Sequence, residues 1–293
     1  MKNFSQIYIN GSSLSCGGSL HFESTAWWFY INEKEVERWN NSKDVSYGNV
    51  LGNMLGINVI NEAKEGGGLD RLIRKTYDFI STLTLKELSE TLFVFDIPLQ
   101  PSRFEVFSRK HDDWFTVAIS YKGGEDSNAY SPIEVSRNTT KWFSNLSFSR
   151  GWGDSTTALS LDELKEHDEL LNKILEYYYD YEIQTDRLLR ELTMFYCFLD
   201  KMKINYFRDN NETIFAGSIN FSKTNRTKEL IKKLKLFETS NENVIGCPTI
   251  WNLHGEKKWR ITDETPIEDS HLGYFGNKKY AEYLYEKLNN GTY

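Results

Sequence analysis

Short, β-branched apolar segments alternate along the chain with longer segments whose apolar residues recur at helical spacing. The first apolar segment, residues 6–9, runs directly into the turn residues Asn10, Gly11, Ser12 and Ser13. Similar segments follow at 57–61, 91–99 and 204–207. Short apolar runs that end in turn residues are typical of buried strands. The pattern therefore predicts four strands.

Helical spacing is clearest in three regions between and after these strands. A helix is predicted to open at Leu69, after the glycine run 66–68. The capping-box pattern at 160–163 predicts the start of a long helical region that ends near Lys203, with a break near 181–185. The last helix is predicted at about 274–288, and one of its faces carries Ala281, Leu284 and Leu288. Strands that alternate with helices at these lengths predict a doubly wound α/β domain with a mainly parallel sheet.

One stretch of the chain breaks this alternation. Residues 114–119 have the pattern of a strand and 123–126 that of a turn, and no clear helical pattern follows them. We interpret residues 111–155 as a β-rich insertion, and residues 218–250 stay ambiguous. A length of 293 residues allows one large domain or two small ones. Because the chain shows no linker or repeat, we expect one domain over residues 1–293.

Composition and charge argue against several classes of protein. The formal net charge is −7, so the chain has no basic surplus with which to bind a nucleic-acid backbone. Its three cysteines (Cys16, Cys197 and Cys247) are widely spaced and predict neither a disulfide framework nor a zinc site. The first residues lack the apolar core of a signal peptide, and no apolar run is long enough to cross a membrane. We expect a protein that is cytoplasmic as synthesised, with no metal and no cofactor.

Residues suited to nucleophilic catalysis follow the predicted strands. Ser13 follows the first strand, the glycine run 66–68 follows the second, and His271 precedes the last helix. A serine hydroxyl needs a base to take its proton, and the base needs a carboxylate to orient it. His271 has Asp269 and Glu268 just before it. Backbone N–H groups of a glycine loop suit an oxyanion, and ligands of open parallel sheets bind at the carboxyl ends of the strands.

The same segments resemble the sequence blocks of SGNH (GDSL-like) hydrolases, and most closely those of phage-encoded members. Residues 11–14, Gly-Ser-Ser-Leu, resemble the Gly-Asp-Ser-Leu block, and also its Asn-Gly-Cys-Ser form in phage-encoded members. Residues 61–66 look like the second block, and 70–74 are similar to the helix that follows it. Residues 269–271 with 276–284 resemble the last block. The resemblance covers neither 111–155 nor most of 210–255.

This resemblance implies a flavodoxin-like α/β/α sandwich and a serine esterase mechanism. Ser13 would be the nucleophile and His271 the base, with Asp269 as the orienting carboxylate and Glu268 as its alternative. The N–H groups of Ser13 and Gly66 would form the oxyanion hole. The third block of the family supplies an Asn that this chain lacks at 99–105, where Gln100 or Arg103 would substitute. The usual Asp-x-x-His spacing is here Asp-x-His.

Two other functions stay open at this stage. The missing Asn and the irregular spacing favour a non-catalytic protein of the same fold, associated with a virion or serving as a scaffold. Aromatic clusters at 27–30 and 177–179 suggest a carbohydrate-binding protein, although core and interface packing is the favoured explanation of such clusters. For an esterase, the expected partner is an acylated small molecule or glycan, and by analogy an acetylated surface polysaccharide. No nucleic-acid or membrane partner is expected, and a phage virion or a homo-oligomer remains open.

Overall fold

The fold is known from a computed structural model. It describes residues 3–17, 44–64, 66–101, 103–119, 146–153, 181–208, 225–247 and 271–290, together with Trp259 and scattered residues between 162 and 177. The strands are β1 (Gln6–Asn10), β2 (Asn58–Asn61), β3 (Thr91–Phe95), β4 (Arg103–Ser108), β5 (Asp113–Ile119), β6 (Leu146–Gly153), β7 (Asn205–Arg208) and β8 (Val244–Gly246). The helices are α1 (Ser13–Cys16), α2 (Tyr47–Leu55), α3 (Leu69–Ser81), α4 (Leu85–Ser89), α5 (Tyr181–Lys201), α6 (Asn225–Leu234) and α7 (Tyr274–Asn289).

Five strands form a parallel sheet in the order β2-β1-β3-β7-β8. Each pairing within it is parallel; β1, for example, aligns Ile7 with Val59 of β2 and with Leu92 of β3. When the five strands of this sheet are numbered along the chain, β7 and β8 are the fourth and fifth, so the order is 2-1-3-4-5. This is the flavodoxin-like order. The predicted α/β class with a mainly parallel sheet is confirmed.

Helices cover both faces of this sheet, which is why its central strands, β1 and β3, are buried along almost their whole length. Ile7, Tyr8 and Ile9 of β1 are completely buried. One face packs on α3, α5 and α6 and forms a core that we call the α3-side core. The other packs on α2 and α7 and forms the α7-side core, to which α1 contributes Leu14.

Two glycines bring α2 very close to the sheet. A Cβ atom at Gly48 would lie 1.7 Å from Cδ1 of Ile9, and one at Gly52 would lie 2.1 Å from Cγ2 of Val59. No side chain fits at either position without moving a strand residue. The close approach holds the amino end of α2 beside the loop that follows β1.

The remaining described strands form a separate antiparallel sheet, β4-β5-β6. A part-buried ion pair joins it to α3: Nε and Nη2 of Arg74 donate to Oε2 and Oε1 of Glu105 at 2.9 and 2.6 Å. Oδ2 of Asp70 accepts from the Glu105 N–H at 2.6 Å. Two side chains of α3 therefore fix the position of β4.

Several element boundaries differ from those predicted. The β-rich region begins at Arg103 instead of near residue 111, because β4 pairs with β5 along its whole length. Strand β3 ends at Phe95 and does not reach residue 99. Helix α5 runs without a break from Tyr181 to Lys201, and the ambiguous region contains α6 and β8. The single-domain assignment for 1–293 stays a prediction.

Candidate functional site

The carboxyl edge of the parallel sheet contains the point where the chain reverses its direction across the sheet. From β1 the chain continues to β2 on one side, and from β3 it continues to β7 on the other. Loops at such a switch point diverge and leave a crevice between them, where ligands of open α/β sheets bind. The segments that the sequence singles out after β1 and β2 lie at this edge.

The loop after β1 is tightly packed against the end of β3. A Cβ atom at Gly11 would lie 2.6 Å from both Cβ and the carbonyl oxygen of Asp96. The N–H and the hydroxyl of Ser12 both donate to Oδ2 of Asp96, at 3.1 and 2.6 Å. Ser12 is completely buried. Its hydroxyl is therefore committed to a structural contact, and Ser12 does not compete with Ser13 for the role of nucleophile.

Ser13 is the first residue of α1. The backbone N–H groups in the first turn of a helix have no acceptor within the helix, so the Ser13 N–H is of the type that an oxyanion hole requires. The side chain of Ser13 lies outside the described part of the chain.

The glycine loop after β2 packs directly on the loop after β1. The Lys64 N–H donates to the Gly11 carbonyl at 3.2 Å, and a Cβ atom at Gly67 would lie 3.3 Å from the same oxygen. Gly66 has a φ of 75°, a conformation that favours glycine. The structure therefore brings together two of the predicted site segments, those that contain Ser13 and Gly66.

The segment that contains His271 is tied to the same edge by Asn277. Nδ2 of Asn277 donates to the carbonyls of Gly273 at 2.9 Å and Leu272 at 3.3 Å, which fixes the turn immediately after His271. Oδ1 of Asn277 accepts from the Tyr47 N–H at 2.8 Å. His271 itself is half-buried, and Leu272 belongs to the α7-side core together with Leu14, the residue after Ser13.

Tyr47, which binds Asn277 through its N–H, also binds α1 through its hydroxyl. Oη of Tyr47 and Oγ of Ser15 are 2.7 Å apart, and both side chains are buried. Burial raises the pKa of the Tyr47 hydroxyl, and the nearby Asp96 raises it further. The phenol therefore keeps its proton and can serve as a hydrogen-bond donor to Ser15.

Asp96, Tyr47 and Asn277 are residues of this edge that sequence reasoning missed. Asp96 lies inside the predicted strand 91–99, whereas β3 ends at Phe95, so the strand that was predicted too long hid the loop position of this carboxylate. Tyr47 and Asn277 lie 230 positions apart in the sequence. No local pattern indicates that the two are partners.

The other predicted site residues are only partly described. Gln100 and Arg103 are half-buried, and the Arg103 N–H donates to the Gln100 carbonyl at 2.9 Å. The Arg103 carbonyl lies against the glycine loop, 2.8 Å from where a Cβ of Gly68 would stand. Asp269 and Glu268 lie outside the described residues, as do Trp27 and Trp28. Their predicted roles stay predictions.

The described residues show neither a metal-binding cluster nor a membrane-spanning helix. Among them, no group of three or more His, Cys, Asp or Glu side chains is arranged to hold a metal ion. Within the same part of the chain, no helix combines the length and the apolar character that crossing a bilayer requires.

Comparison with known proteins finds similarity to solved structures and none to known sequences. No protein family model matches the chain, and no curated protein matches its sequence. A solved structure described under the words "The active site of a carbohydrate esterase displays divergent catalytic and non-catalytic binding functions" aligns with a TM-score of 0.39 and 10% identity. The alignment covers 99% of this chain and 66% of that one, so the chain spans just under two thirds of its length. Values this low establish neither a common fold nor a common activity, and the fold assignment rests on the strand order of the sheet itself.

Proposed function

We propose that the protein is a serine esterase of the SGNH type. Ser13 is the nucleophile, His271 the general base and Asp269 the carboxylate that orients it, with Glu268 as the alternative. The N–H groups of Ser13 and Gly66 bind the oxyanion. Gln100 and Arg103 are the residues that would replace the Asn of the third family block.

The observation that carries the proposal is the convergence of three distant segments at one sheet edge. The Lys64–Gly11 hydrogen bond joins the glycine loop to the loop that precedes Ser13. The Asn277–Tyr47 and Tyr47–Ser15 contacts join the turn after His271 to α1. A nucleophile, a base and oxyanion donors must meet within a few ångströms, and these contacts bring their segments to one place.

The proposed reaction has two half-reactions that balance without a cofactor. Oγ of Ser13 attacks the ester carbonyl carbon while Nε2 of His271 takes its proton, and the carbonyl oxygen becomes an oxyanion. The intermediate collapses, and the leaving alcohol takes the proton from His271. Water then attacks the acyl-enzyme with His271 again as base, which releases the acid and restores Ser13. One oxyanion donor contributes on the order of 10²-fold to such a rate.

An acetylated carbohydrate is the substrate class that we propose. The basis is the resemblance to phage-encoded members of the family, which makes it an argument by analogy. The net charge of −7 is consistent with a neutral substrate. It does not favour a polyanionic one, because a protein of the same sign of charge repels it.

A non-catalytic protein of the same fold is the second candidate, and Asp96 favours it. This residue stands at the end of β3, and both Ser12 donors bind its carboxylate. A carboxylate that accepts two hydrogen bonds is not an oxyanion donor. In this alternative the sheet edge binds an acylated glycan or a virion partner without turnover.

Hydrolysis of a panel of p-nitrophenyl esters and acetylated sugars distinguishes the two. The wild-type protein is expected to release acetate, and Ser13→Ala and His271→Ala are each expected to lower kcat/KM at least about 10³-fold. Ser81→Ala removes an exposed hydroxyl at the far end of α3 and should leave the rate unchanged. Equal rates for the wild type and Ser13→Ala would contradict the esterase, and acetylated-glycan binding without turnover would favour the second candidate.

A further inference from the structure

We propose that the Ser15–Tyr47–Asn277 chain of hydrogen bonds, which we call the positioning chain, sets the position of the Ser13 helix relative to His271. The inference rests on the proposed function, since it assigns positioning residues for the same site. None of the three side chains is proposed to touch the substrate. They act through α1 at one end and through the turn after His271 at the other.

The positioning chain spans the two segments with no break. Oγ of Ser15 is 2.7 Å from Oη of Tyr47, the Tyr47 N–H donates to Oδ1 of Asn277 at 2.8 Å, and Nδ2 of Asn277 donates to Gly273 at 2.9 Å. Ser15 and Asn277 are completely buried and Tyr47 is 1% exposed. Water cannot replace a partner at such sites, so each contact is strongly favoured over its absence.

The tyrosine is also held by packing, so the chain has little freedom to adjust. Its ring meets that of Tyr280 in α7 edge-on, with centroids 4.9 Å apart and an interplanar angle of 81°. Asn61 adds a further tie, because its Nδ2 donates to the Ser15 carbonyl at 3.0 Å and to Oγ of Ser46 at 3.2 Å. Because close packing leaves the Tyr47 ring and the Asn277 side chain little room to move, a displacement at one end of the positioning chain also displaces the other end.

Small displacements of a catalytic group have large effects on rate. A misplacement of about 1 Å can lower the rate on the order of 10²-fold. Ser15 lies two positions after Ser13, and the carbonyl of Gly273 lies two positions after His271. A change in the middle of the positioning chain is therefore expected to affect kcat much more than KM.

Kinetics of a small set of variants on p-nitrophenyl acetate tests the inference. Tyr47→Phe removes one hydroxyl and keeps the ring and the N–H that binds Asn277; we expect kcat to fall about 10-fold with KM nearly unchanged. Asn277→Ala removes the side-chain hydrogen bonds that fix the turn at Gly273, and we expect kcat to fall about 10²-fold. Tyr206→Phe and Asn205→Ala are matched controls, because they remove a buried hydroxyl and a buried amide that bind elsewhere in the fold. These controls should keep kcat.

The double variant Tyr47→Phe/Ser15→Ala separates positioning from stability. Each single change leaves the hydroxyl of the other residue buried without its hydrogen-bond partner, whereas the double change removes both hydroxyls. Its melting temperature should therefore be closer to that of the wild type than those of the single variants. If the chain positions the site, kcat stays low in the double variant. Recovery of kcat together with stability would overturn the inference.

A readout that needs no turnover keeps the test independent of the proposed function. At a fixed pH, the NMR signals of the His271 imidazole should move between wild type and Ser15→Ala, because the change reaches His271 through Tyr47 and Asn277. Coincident signals in the two proteins would overturn the inference even if the protein is an esterase. A wild-type protein that neither turns over nor reacts with a fluorophosphonate would instead refute the proposed function, whatever the NMR signals show.

Discussion

The two edges of the parallel sheet use buried polar side chains in different ways. At the amino edge, Thr91 and Asn205 start β3 and β7, and their side chains donate to the Glu87 and Ser89 carbonyls of α4 at 2.7 and 2.9 Å. At the carboxyl edge, fully buried side chains bind one another, as Ser12 binds Asp96 and Ser15 binds Tyr47, whereas the Gln6–Thr91 side-chain pair of the amino edge is only part-buried.

This difference distinguishes turn formation from site construction. Side chains that satisfy the carbonyls of a neighbouring helix are what any sheet needs where the chain turns. Buried hydroxyl and carboxylate groups that bind one another are less common, and burying them is costly unless every partner is in place. Such networks fix a unique arrangement. The geometry of the carboxyl edge is therefore more tightly specified than that of the amino edge.

The largest expected effect comes from adding one methyl group at the carboxyl edge. Gly11→Ala would place Cβ 2.6 Å from the Asp96 backbone carbonyl oxygen, and it should lower the free energy of unfolding by about 4 kcal/mol through overpacking and backbone strain. Gly56→Ala is the amino-edge control. Gly56 has a φ of 68° with no atom within 4 Å of an added Cβ, so it should cost about 1 kcal/mol.

Urea unfolding of both glycine variants measures this contrast. Equal losses of unfolding free energy in Gly11→Ala and Gly56→Ala would mean that the carboxyl edge tolerates an added methyl group as readily as the amino edge does. Such a result would contradict the proposed difference between the two edges.

Removal of the Asp96 carboxylate should have the next largest effect. Asp96→Ala leaves the N–H and the hydroxyl of Ser12 without their acceptor in a fully buried position, and it should lower the free energy of unfolding by about 3 kcal/mol. Asn205→Ala leaves one carbonyl of α4 unpaired and should cost about 1 kcal/mol. Chemical denaturation of the two variants gives the difference directly, and a smaller loss for Asp96→Ala than for Asn205→Ala would contradict the account.

A helix cap at the amino edge should have the smallest effect. Thr84 accepts from the Glu87 N–H, and Oε2 of Glu87 accepts from the Thr84 N–H, which together form a capping box. Thr84→Ala should cost about 1 kcal/mol in a thermal melt and leave esterase activity unchanged. A loss of activity in the folded Thr84→Ala protein would show that the two edges are not independent.

The sequence was sufficient for the parts of the fold that depend on local pattern. Strand β1 has a short apolar run that ends in turn residues, α3 and α7 have apolar residues at helical spacing, and the structure confirms all three elements. Strand β8 has three residues, too few for any period to be visible. Strand β4 has no fully buried residue, so its sequence lacks the apolar run that marks the core strands.

The site was predictable only as separate pieces. Ser13, Gly66 and His271 stand out because each follows a strand or precedes a helix. Their mutual arrangement depends on contacts such as Tyr47–Asn277, and only the folded chain shows these. The roles of Asp269 and Glu268 stay predictions, as does the reaction itself.

The most direct test of the central claim is the identity of the residue that reacts with a fluorophosphonate in the folded protein. Mass spectrometry of the digested adduct should locate a single label on Ser13 in the wild type. The label should be absent in Ser13→Ala and formed much more slowly in His271→Ala. A folded wild-type protein that takes no label, or a label that persists in Ser13→Ala, would contradict the assignment of this sheet edge as a serine esterase site.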